Sequence, residues 1–467
     1  MTVLHRARPG LLAVATALAL SACASGAPVP MAAPPAPPAW QAPLPHNGSV
    51  TDLADWWRQQ GDPLLVQLIE SAQLVSSSVA TAASRIAQSR AERVASGAAL
   101  LPVVDATAGV SRANGQAPLP PATTAQAGLQ TAWEIDLFGA NRAYRDAAQA
   151  RLDSAHAGWH EARVAVAAEV ANQYYGLRAC QRQLAVTRLD AASRDDSARL
   201  TGLSAQAGFQ SPANAALARA SAADGNNRAI EQNAACERDL KALVALSGAG
   251  ESALRAKLAG ADLVAPAPIA IGALPAAILR QRPDLYRAER EVSAASFEVA
   301  GASAQRYPRL SLSGSVGVAN LRSGGVNTGL DTWSIGPLAL TLPLFDGGRR
   351  RADIDAAGAR YQAAVVDYRA SVRQAVSEVE QALVNLDSSA ERAGFAQAAL
   401  DGYRTAFVAT EERYKNGLAS LLELEDVRRT RLAAENTVLN LQRERNTAWV
   451  ALYRAAGGGW RAPTAPQ

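Results

Sequence analysis

Beyond its first 22 residues this 467-residue sequence has no apolar run near the roughly 20 residues that a membrane-spanning helix needs. A helical membrane anchor is excluded there. There is no block of one charge either: the 46 Lys and Arg and the 42 Asp and Glu are interspersed and leave a formal charge of +4, which describes a solvated surface and not a nucleic-acid groove. The three glycines at 457–459 lack the Lys-Ser/Thr of a phosphate loop and read as a loose end. No Ser-His-Asp, Cys-His or paired-carboxylate constellation emerges, so no catalytic residue is assigned and the chain does not read as an enzyme. His156 and His160 stand i, i+4 beside Glu161, but Ala157 occupies the position where a zinc motif carries its glutamate; a solvent-facing helix is expected, and no metal. Proline is missing between Pro121 and Pro212 and again between Pro343 and Pro463, where Ala, Arg, Glu, Gln and Leu dominate. Both stretches can therefore run as long helices.

Cysteine is scarce, at three residues, and each position is informative. The first follows a basic start (His5, Arg6, Arg8) and an apolar run from Leu11 to Leu20, the layout of an export signal. Leu20-Ser21-Ala22-Cys23 resembles a bacterial lipobox. That implies a signal peptide over residues 1–22 and a covalent lipid, diacylglycerol and N-acyl, on Cys23, with no other cofactor. Ala24 and Ser25 are not the aspartate that tends to hold lipoproteins at the inner membrane, so the expected site is the outer membrane. Residues 23–50, with Pro34, Pro35, Pro37, Pro38, Pro43 and Pro45, read as an extended tether, and the fold is expected to start after it. The other two cysteines, Cys180 and Cys236, are centred on Gly208. In an antiparallel helical hairpin that turns there they stand at one height, and export carries them to an oxidising compartment. A disulfide is expected, with two buried free thiols as the alternative.

The sequence repeats itself at an offset of about 206 to 209 residues. Leu101-Pro102-Val103-Val104 is echoed by Tyr307-Pro308-Arg309-Leu310, Trp133-Glu134-Ile135-Asp136-Leu137-Phe138-Gly139 by Leu342-Pro343-Leu344-Phe345-Asp346-Gly347-Gly348, and Ala207-Gly208-Phe209-Gln210-Ser211 by Asn416-Gly417-Leu418-Ala419-Ser420. The first repeat is placed at 51–265 (helix, β-hairpin, long helical hairpin), the second at 266–460, and 461–467 is a disordered tail. A helix from Asn141 to about Ser204 would extend roughly 95 Å. Before each long helix lie two alternating segments: from Ala125 to Leu137 the odd positions are mainly apolar and the even ones polar, and Leu310, Leu312, Val316 and Val318 alternate with Ser311, Ser313 and Ser315. The phase slips at Gly336-Pro337, which predicts a bulge or bend. Trp133 and Trp333 are candidates for a membrane interface, although packing where strand meets helix accounts equally for Trp133. Each strand should have about ten to thirteen residues, as a tilted membrane strand does. Two strands per repeat make four per chain, fewer than the roughly eight of the smallest membrane barrels, so several chains must share one barrel. Three chains fit, and counting alone leaves two or four open.

These landmarks, together with Asp55-Trp56-Trp57, Asp62-Pro63-Leu64, Leu274-Pro275 and Arg282-Pro283-Asp284-Leu285, resemble the TolC family of outer-membrane factors, in its NodT-type lipoprotein subgroup that serves RND efflux systems. The resemblance implies a mixed fold, all-α plus membrane β-barrel: a homotrimer in which each chain gives four strands to a twelve-stranded barrel and long antiparallel helices to a periplasmic α-barrel. It implies a passive exit duct for small molecules, with a periplasmic adaptor, an inner-membrane RND-type pump and outer-membrane lipid as partners. Glu423, Asp426 and Tyr414 match the family's periplasmic gate, and the hairpin tips at Gly208, Ser211, Gly417 and Ser420 should touch the adaptor. Asn214 and Ala419 stand where other members carry a gate aspartate and arginine, so closure is either thinner or uses Arg413 or Lys415. A type I secretion duct for proteins and a purely structural periplasm-spanning lipoprotein are the competing readings; paired amphipathic strands speak against the second.

Overall fold

The computed structural model describes residues 37–42, 56–59, 61–114, 120–259, 268–269 and 275–462. The signal segment, Cys23, Asp55, Leu274 and residues 463–467 lie outside the described residues. The first repeat runs α1 (Trp56–Gln59), α2 (Pro63–Val75), α3 (Ser77–Ala98), β1 (Val103–Ala113), β2 (Ala122–Ile135), α4 (Ala140–Gln206), α5 (Pro212–Ser247) and α6 (Glu251–Ala259). The second runs α7 (Pro275–Leu279), α8 (Pro283–Ala304), β3 (Arg309–Ser323), β4 (Val326–Thr341), α9 (Arg349–Lys415) and α10 (Leu421–Ala455). Corresponding helices agree in length: α3 and α8 have 22 residues each, α4 and α9 have 67 each. The chain divides into two compact units, one holding residues 84–156 and 287–370, the other 37–83, 157–286 and 371–462.

The first unit holds one antiparallel sheet of four strands in the order β1-β2-β3-β4, so the hairpins of the two repeats join through β2 and β3. The strands have 11, 14, 15 and 16 residues, mostly longer than expected. Their ends are rich in Ala, Thr, Ser and Gly, which blur an apolar alternation without breaking the ladder. Directly paired residues share a face. One face carries Val110, Leu129, Val316, Trp333, Ile335, Leu338 and Leu340, all exposed. The other carries Ser315 and Ser334, whose hydroxyls share a hydrogen bond of 2.9 Å, and Thr332, whose hydroxyl donates to the Gly317 carbonyl at 3.2 Å. The predicted phase slip is a bulge: Leu312 faces Leu338 and Gly314 faces Ile335, so β4 carries one extra residue.

On the polar face Gly128 of β2 lies opposite Gly317 of β3. A Cβ at Gly128 would come 2.7 Å from the Val316 carbonyl oxygen, and one at Gly317 would come 2.7 Å from that of Ala127. The glycine pair lets the two backbones approach this closely. Gly128→Val should therefore cost about 2–3 kcal/mol through forced backbone shifts and deplete heat-resistant oligomer on a gel. Gly109→Val, in β1 with nothing within 4 Å of its Cβ, should leave the oligomer intact.

The motifs that close each β-hairpin work as helix starts. Asp136 accepts from the backbone N–H groups of Asn141 and Arg142 at 3.2 and 2.9 Å and pairs with the Arg142 guanidinium at 3.2 Å. Asp346 does the same for α9, accepting from the Gly348 and Arg350 amides at 3.1 and 3.2 Å and from the Arg350 side chain at 2.7 Å. Burial pushes the Asp346 carboxyl up, but these donors together hold it below the usual carboxylate range. Phe138 stacks on Tyr307 with centroids 4.9 Å apart.

The second unit has the main hydrophobic core. Trp56 and Trp57 pack on Tyr453 with centroids 5.1 and 4.7 Å away. Asp62 caps α2 by accepting from the Leu65 amide at 3.1 Å, and also accepts the Tyr174 hydroxyl at 2.7 Å. Arg282, 6% exposed, forks onto Asp284 at 3.0 and 2.7 Å, reaches Glu378 at 2.7 Å and donates to the Ala455 carbonyl at 2.9 Å. The sequence motifs flanking the repeats are thus structural.

Three expectations need correction. Residues 37–42 are not free tether: Trp40 is buried, and the Gln41 and Ala42 amides donate to the two carboxylate oxygens of Glu380 at 2.6 and 2.7 Å. An indole that buries its surface outweighs the extended preference of the prolines around it. Nor are the glycines at 457–459 a loose end. Gly457 is buried with φ +89°, and Tyr453 donates its hydroxyl to the Gly458 carbonyl at 3.1 Å. His160, lastly, does not face solvent fully as His156 does; it is half-buried, its ring 6.4 Å from that of Trp460.

Candidate functional site

Both helical hairpins turn in the same way. α4 ends where Gly208 takes φ +81° and α9 where Gly417 takes φ +74°, a left-handed conformation that is free of Cβ strain only in glycine. The following amide closes back on the last turn: Phe209 N–H donates to the Ser204 carbonyl at 2.9 Å, Leu418 N–H to that of Arg413 at 2.7 Å. Ser211 and Ser420 then cap the next helices, their hydroxyls accepting from the Asn214 and Glu423 amides, each at 3.1 Å. Phe209 and Leu418 project from the two turns, 84% and 70% exposed.

Around these turns the residues picked from sequence fall into separate contacts. Glu423 accepts from the Arg413 guanidinium at 2.8 Å, and Arg413 also donates to the Leu418 carbonyl at 3.1 Å. Asp426 pairs with Arg429 on its own helix, well exposed. The Tyr414 hydroxyl shares a hydrogen bond of 2.5 Å with that of Thr201, joining α9 to α4. Asn214 donates to Gln210 at 2.9 Å, Ala419 brings no charge, and Lys415 pairs with Glu411 and Glu412 of its own helix at 3.3 and 2.9 Å.

The strongest electrostatic feature is one that the sequence reading passed over. Asp190, 1% exposed, accepts from the Arg194 Nε at 2.7 Å; Arg194 reaches Ser221 of α5 at 2.6 Å and Glu425 of α10 at 2.5 Å. Glu425 holds Arg428 at 2.5 Å, and Arg428, fully buried, donates to Ser193 and Ser197 of α4 at 3.1 and 3.0 Å. Arg431 and Arg228 approach Asp190 at 3.7 and 3.9 Å, and the Arg431 guanidinium lies 4.1 Å from the centre of the Phe407 ring. Burial pushes the Arg428 guanidinium below its ordinary range, against the pull of Glu425. Three largely buried arginines, Arg194, Arg428 and Arg431, thus share two carboxylates in a place with little water, while Arg228 at the edge also pairs with Asp224. A cue was present: Thr187, Asp190, Arg194, Ser197 and Thr201 follow one another at steps of three and four, the spacing of a buried helix seam.

Cys180 of α4 and Cys236 of α5 are joined by a disulfide, with Cα atoms 5.5 Å apart. The bond spans 56 residues of chain, and by loop-closure entropy its loss should cost up to about 4 kcal/mol. Denatured, unreduced protein should take up no alkylating agent at either position, and Cys180→Ser with Cys236→Ser should lower the melting temperature. The second hairpin has Ser389 and Arg445 at the corresponding positions and no such staple.

A profile of the family described as outer membrane efflux protein matches residues 68–249 and again residues 274–458. The chain belongs to the outer membrane efflux protein family. The double match covers both repeats, each with its β-hairpin and its helical hairpin. The chain is 28% identical to the pyoverdine export outer membrane protein OpmQ of Pseudomonas aeruginosa, over 96% of each chain. It is also 28% identical to nodulation protein T of Rhizobium leguminosarum bv. viciae, over 97% of this chain and 94% of that one. Of the solved structures, the outer-membrane channel OprN superposes with a TM-score of 0.82 at 28% identity, covering 92% of this chain and 99% of that one. The resemblance to NodT-type efflux factors therefore holds, and this outer membrane efflux protein shares the channel fold, a β domain with long periplasmic helices.

Proposed function

We propose that three copies of this chain close a single barrel and form the passive exit duct of a tripartite efflux system, gated at the helical hairpin tips. The observation that carries the reading is the four-stranded sheet with one apolar face, whose β1 and β4 are each paired on one side only within the chain. In lipid an open strand edge leaves its amides and carbonyls unsatisfied, so neighbouring chains must pair it, and three chains supply twelve strands. The cargo is small molecules, a reading supported by the pyoverdine exporter among the relatives. No chemistry occurs in the duct. Work is done by an inner-membrane RND-type pump, and a periplasmic adaptor meets the turns at Gly208, Ser211, Gly417 and Ser420. Cys23 carries the lipid that fixes the chain to the membrane.

At the gate three copies each of Glu423 and Asp426 form carboxylate rings, which favour cations and repel one another. Arg413 partly neutralises Glu423, and the Tyr414–Thr201 bond holds the second hairpin to the first. Single-channel recording in planar bilayers tests this. The acylated wild type should show a small, cation-selective conductance, and Glu423→Gln with Asp426→Asn should raise it several-fold and relieve block by multivalent cations. Unchanged conductance and block would remove these residues from the gate; a monomer that never conducts would remove the duct.

A further inference from the structure

The register of the sheet places Arg112, Thr123, Arg322 and Asn327 in one row across all four strands, since Arg112 pairs with Thr123, Thr123 with Arg322, and Arg322 with Asn327. Direct partners project to the same side, and this side is the apolar one, with Val110, Leu129, Val316 and Trp333 further along it. The opposite side carries the glycine pair and the Ser and Thr hydroxyls, and in a closed membrane barrel the polar side faces the lumen and the apolar side the lipid. Two arginines therefore stand at the rim of a surface that faces lipid.

Their height follows from geometry. From Thr123 to Ile135, or from Arg322 to Leu310, there are twelve residue steps, a rise of about 40 Å along the strand and about 31 Å along the membrane normal at a tilt near 40°. The apolar band of such a barrel is about 25 Å tall, so with its inner edge at the level of Ile135 and Leu310 the row stands some 6 Å beyond the hydrocarbon, at headgroup level. Both arginines are exposed, and among the described residues neither guanidinium has an ion pair or a side-chain hydrogen bond. No carboxylate occurs in the sequence that connects β1 to β2, nor in Gly324-Gly325 between β3 and β4. The nearest acid on this face, Asp331, lies four residues along β4 from Asn327, about 13 Å away.

We infer that this row binds the phosphate of a phosphorylated lipid in the outer leaflet; the inference rests on the barrel reading above. Arg112 and Arg322 are separated by one strand, about 10 Å, with the Thr123 hydroxyl between them. A guanidinium forks onto phosphate oxygens bidentately, and the threonine hydroxyl and Asn327 amide add further donors. The acyl chains of the same lipid then lie along the apolar rows below, over Ala125, Ala127 and Leu129 of β2 and Val316 and Val318 of β3. Three copies of the row give a basic girdle that fixes the depth of the barrel in the membrane.

The test uses the full acylated oligomer in detergent, equilibrated with equal amounts of dioleoylphosphatidic acid and dioleoylphosphatidylcholine, with retained lipid counted by native mass spectrometry. Wild type should retain the phosphomonoester over the zwitterion by about tenfold, as charge-assisted bidentate bonds predict. Arg112→Gln with Arg322→Gln should abolish the preference, while Arg112→Lys with Arg322→Lys keeps part of it, because lysine holds the charge without the fork. The variants must still run as oligomers and conduct with unaltered ion selectivity. A conducting wild-type oligomer with no phosphomonoester preference, or a double glutamine variant that retains it, overturns the site alone. Competition by millimolar inorganic phosphate with no dependence on acyl chains would make it a free-anion site, and a selectivity shift in the glutamine variant would place the arginines in the pore; either also overturns it. Protein that neither assembles nor conducts overturns the barrel reading with it.

Discussion

Asp190→Ala should destabilise the helical hairpins by about 3–5 kcal/mol, the usual penalty when buried charge loses its partner. Asp190 is the acid on which Arg194, Arg431 and Arg228 converge, at 2.7, 3.7 and 3.9 Å. Without it Arg431 loses its acid, Arg194 and Arg428 are left to share Glu425, and Arg228 keeps the exposed Asp224. Truncating an arginine is a different experiment: Arg428→Met leaves Glu425 paired with Arg194 at 2.5 Å, removes part of the excess positive charge and keeps an apolar chain near Phe407. That exchange should cost no more than about 1–2 kcal/mol, in line with apolar replacement of buried ions. The cluster joins α4 to α5 through Ser221 and to α10 through Glu425, so its failure should also be visible as more frequent opening in bilayers. Thermal denaturation and open probability of the two variants, measured side by side, decide the matter. Equal losses, or an Asp190→Ala protein as stable as the parent, would show that the counter-charge account is wrong.

The same cluster shows where the sequence stopped being legible. Long helices came through because proline is absent over the right stretches and the helix formers fill them: the segment expected from Asn141 to about Ser204 spans Ala140–Gln206. The sheet came through as well, since period-two alternation fixes which face is apolar irrespective of where each strand ends. Even the slip at Gly336-Pro337 was readable, because an added residue inverts the alternation. Side-chain partners across helices were not readable. Asp190 and Arg194, or Glu425 and Arg428, look in sequence like any i, i+4 or i, i+3 pair on a wet surface, and only the packing of α10 on α4 makes them interior. Glu423 and Asp426 were therefore singled out from the acidic run, while Glu425 between them is the one that turns inward to two arginines. Trp40 was missed for a related reason: composition describes a proline-rich segment on average, and one indole with a place to bury itself is an exception that averages hide.

Gly457→Ala should be among the most damaging single changes in the chain, at roughly 4 kcal/mol or more. A Cβ at this position would lie 1.9 Å from the Gln281 carbonyl oxygen, 2.7 Å from its carbon and 3.2 Å from the Arg282 Cα. None of these is the movable end of a side chain, so the turn itself must retreat. Its φ of +89° adds strain of about 1–2 kcal/mol for any residue with a Cβ. Retreat also pulls on the neighbouring anchors, because Arg282 donates to the Ala455 carbonyl at 2.9 Å and the Gly458 amide closes on Tyr453 at 3.0 Å. Tyr453 is the residue on which both Trp56 and Trp57 rest, so the disturbance enters the main core of its unit. Gly402→Ala provides the contrast: it lies exposed inside α9 with nothing within 4 Å of a Cβ, and there alanine should stabilise the helix by about 0.5–1 kcal/mol. Limited proteolysis and melting temperature should move in opposite directions for the two variants. If Gly457→Ala melts with the parent, the run of three glycines is the slack end that its composition described, and the close approach to Gln281 does not constrain the fold.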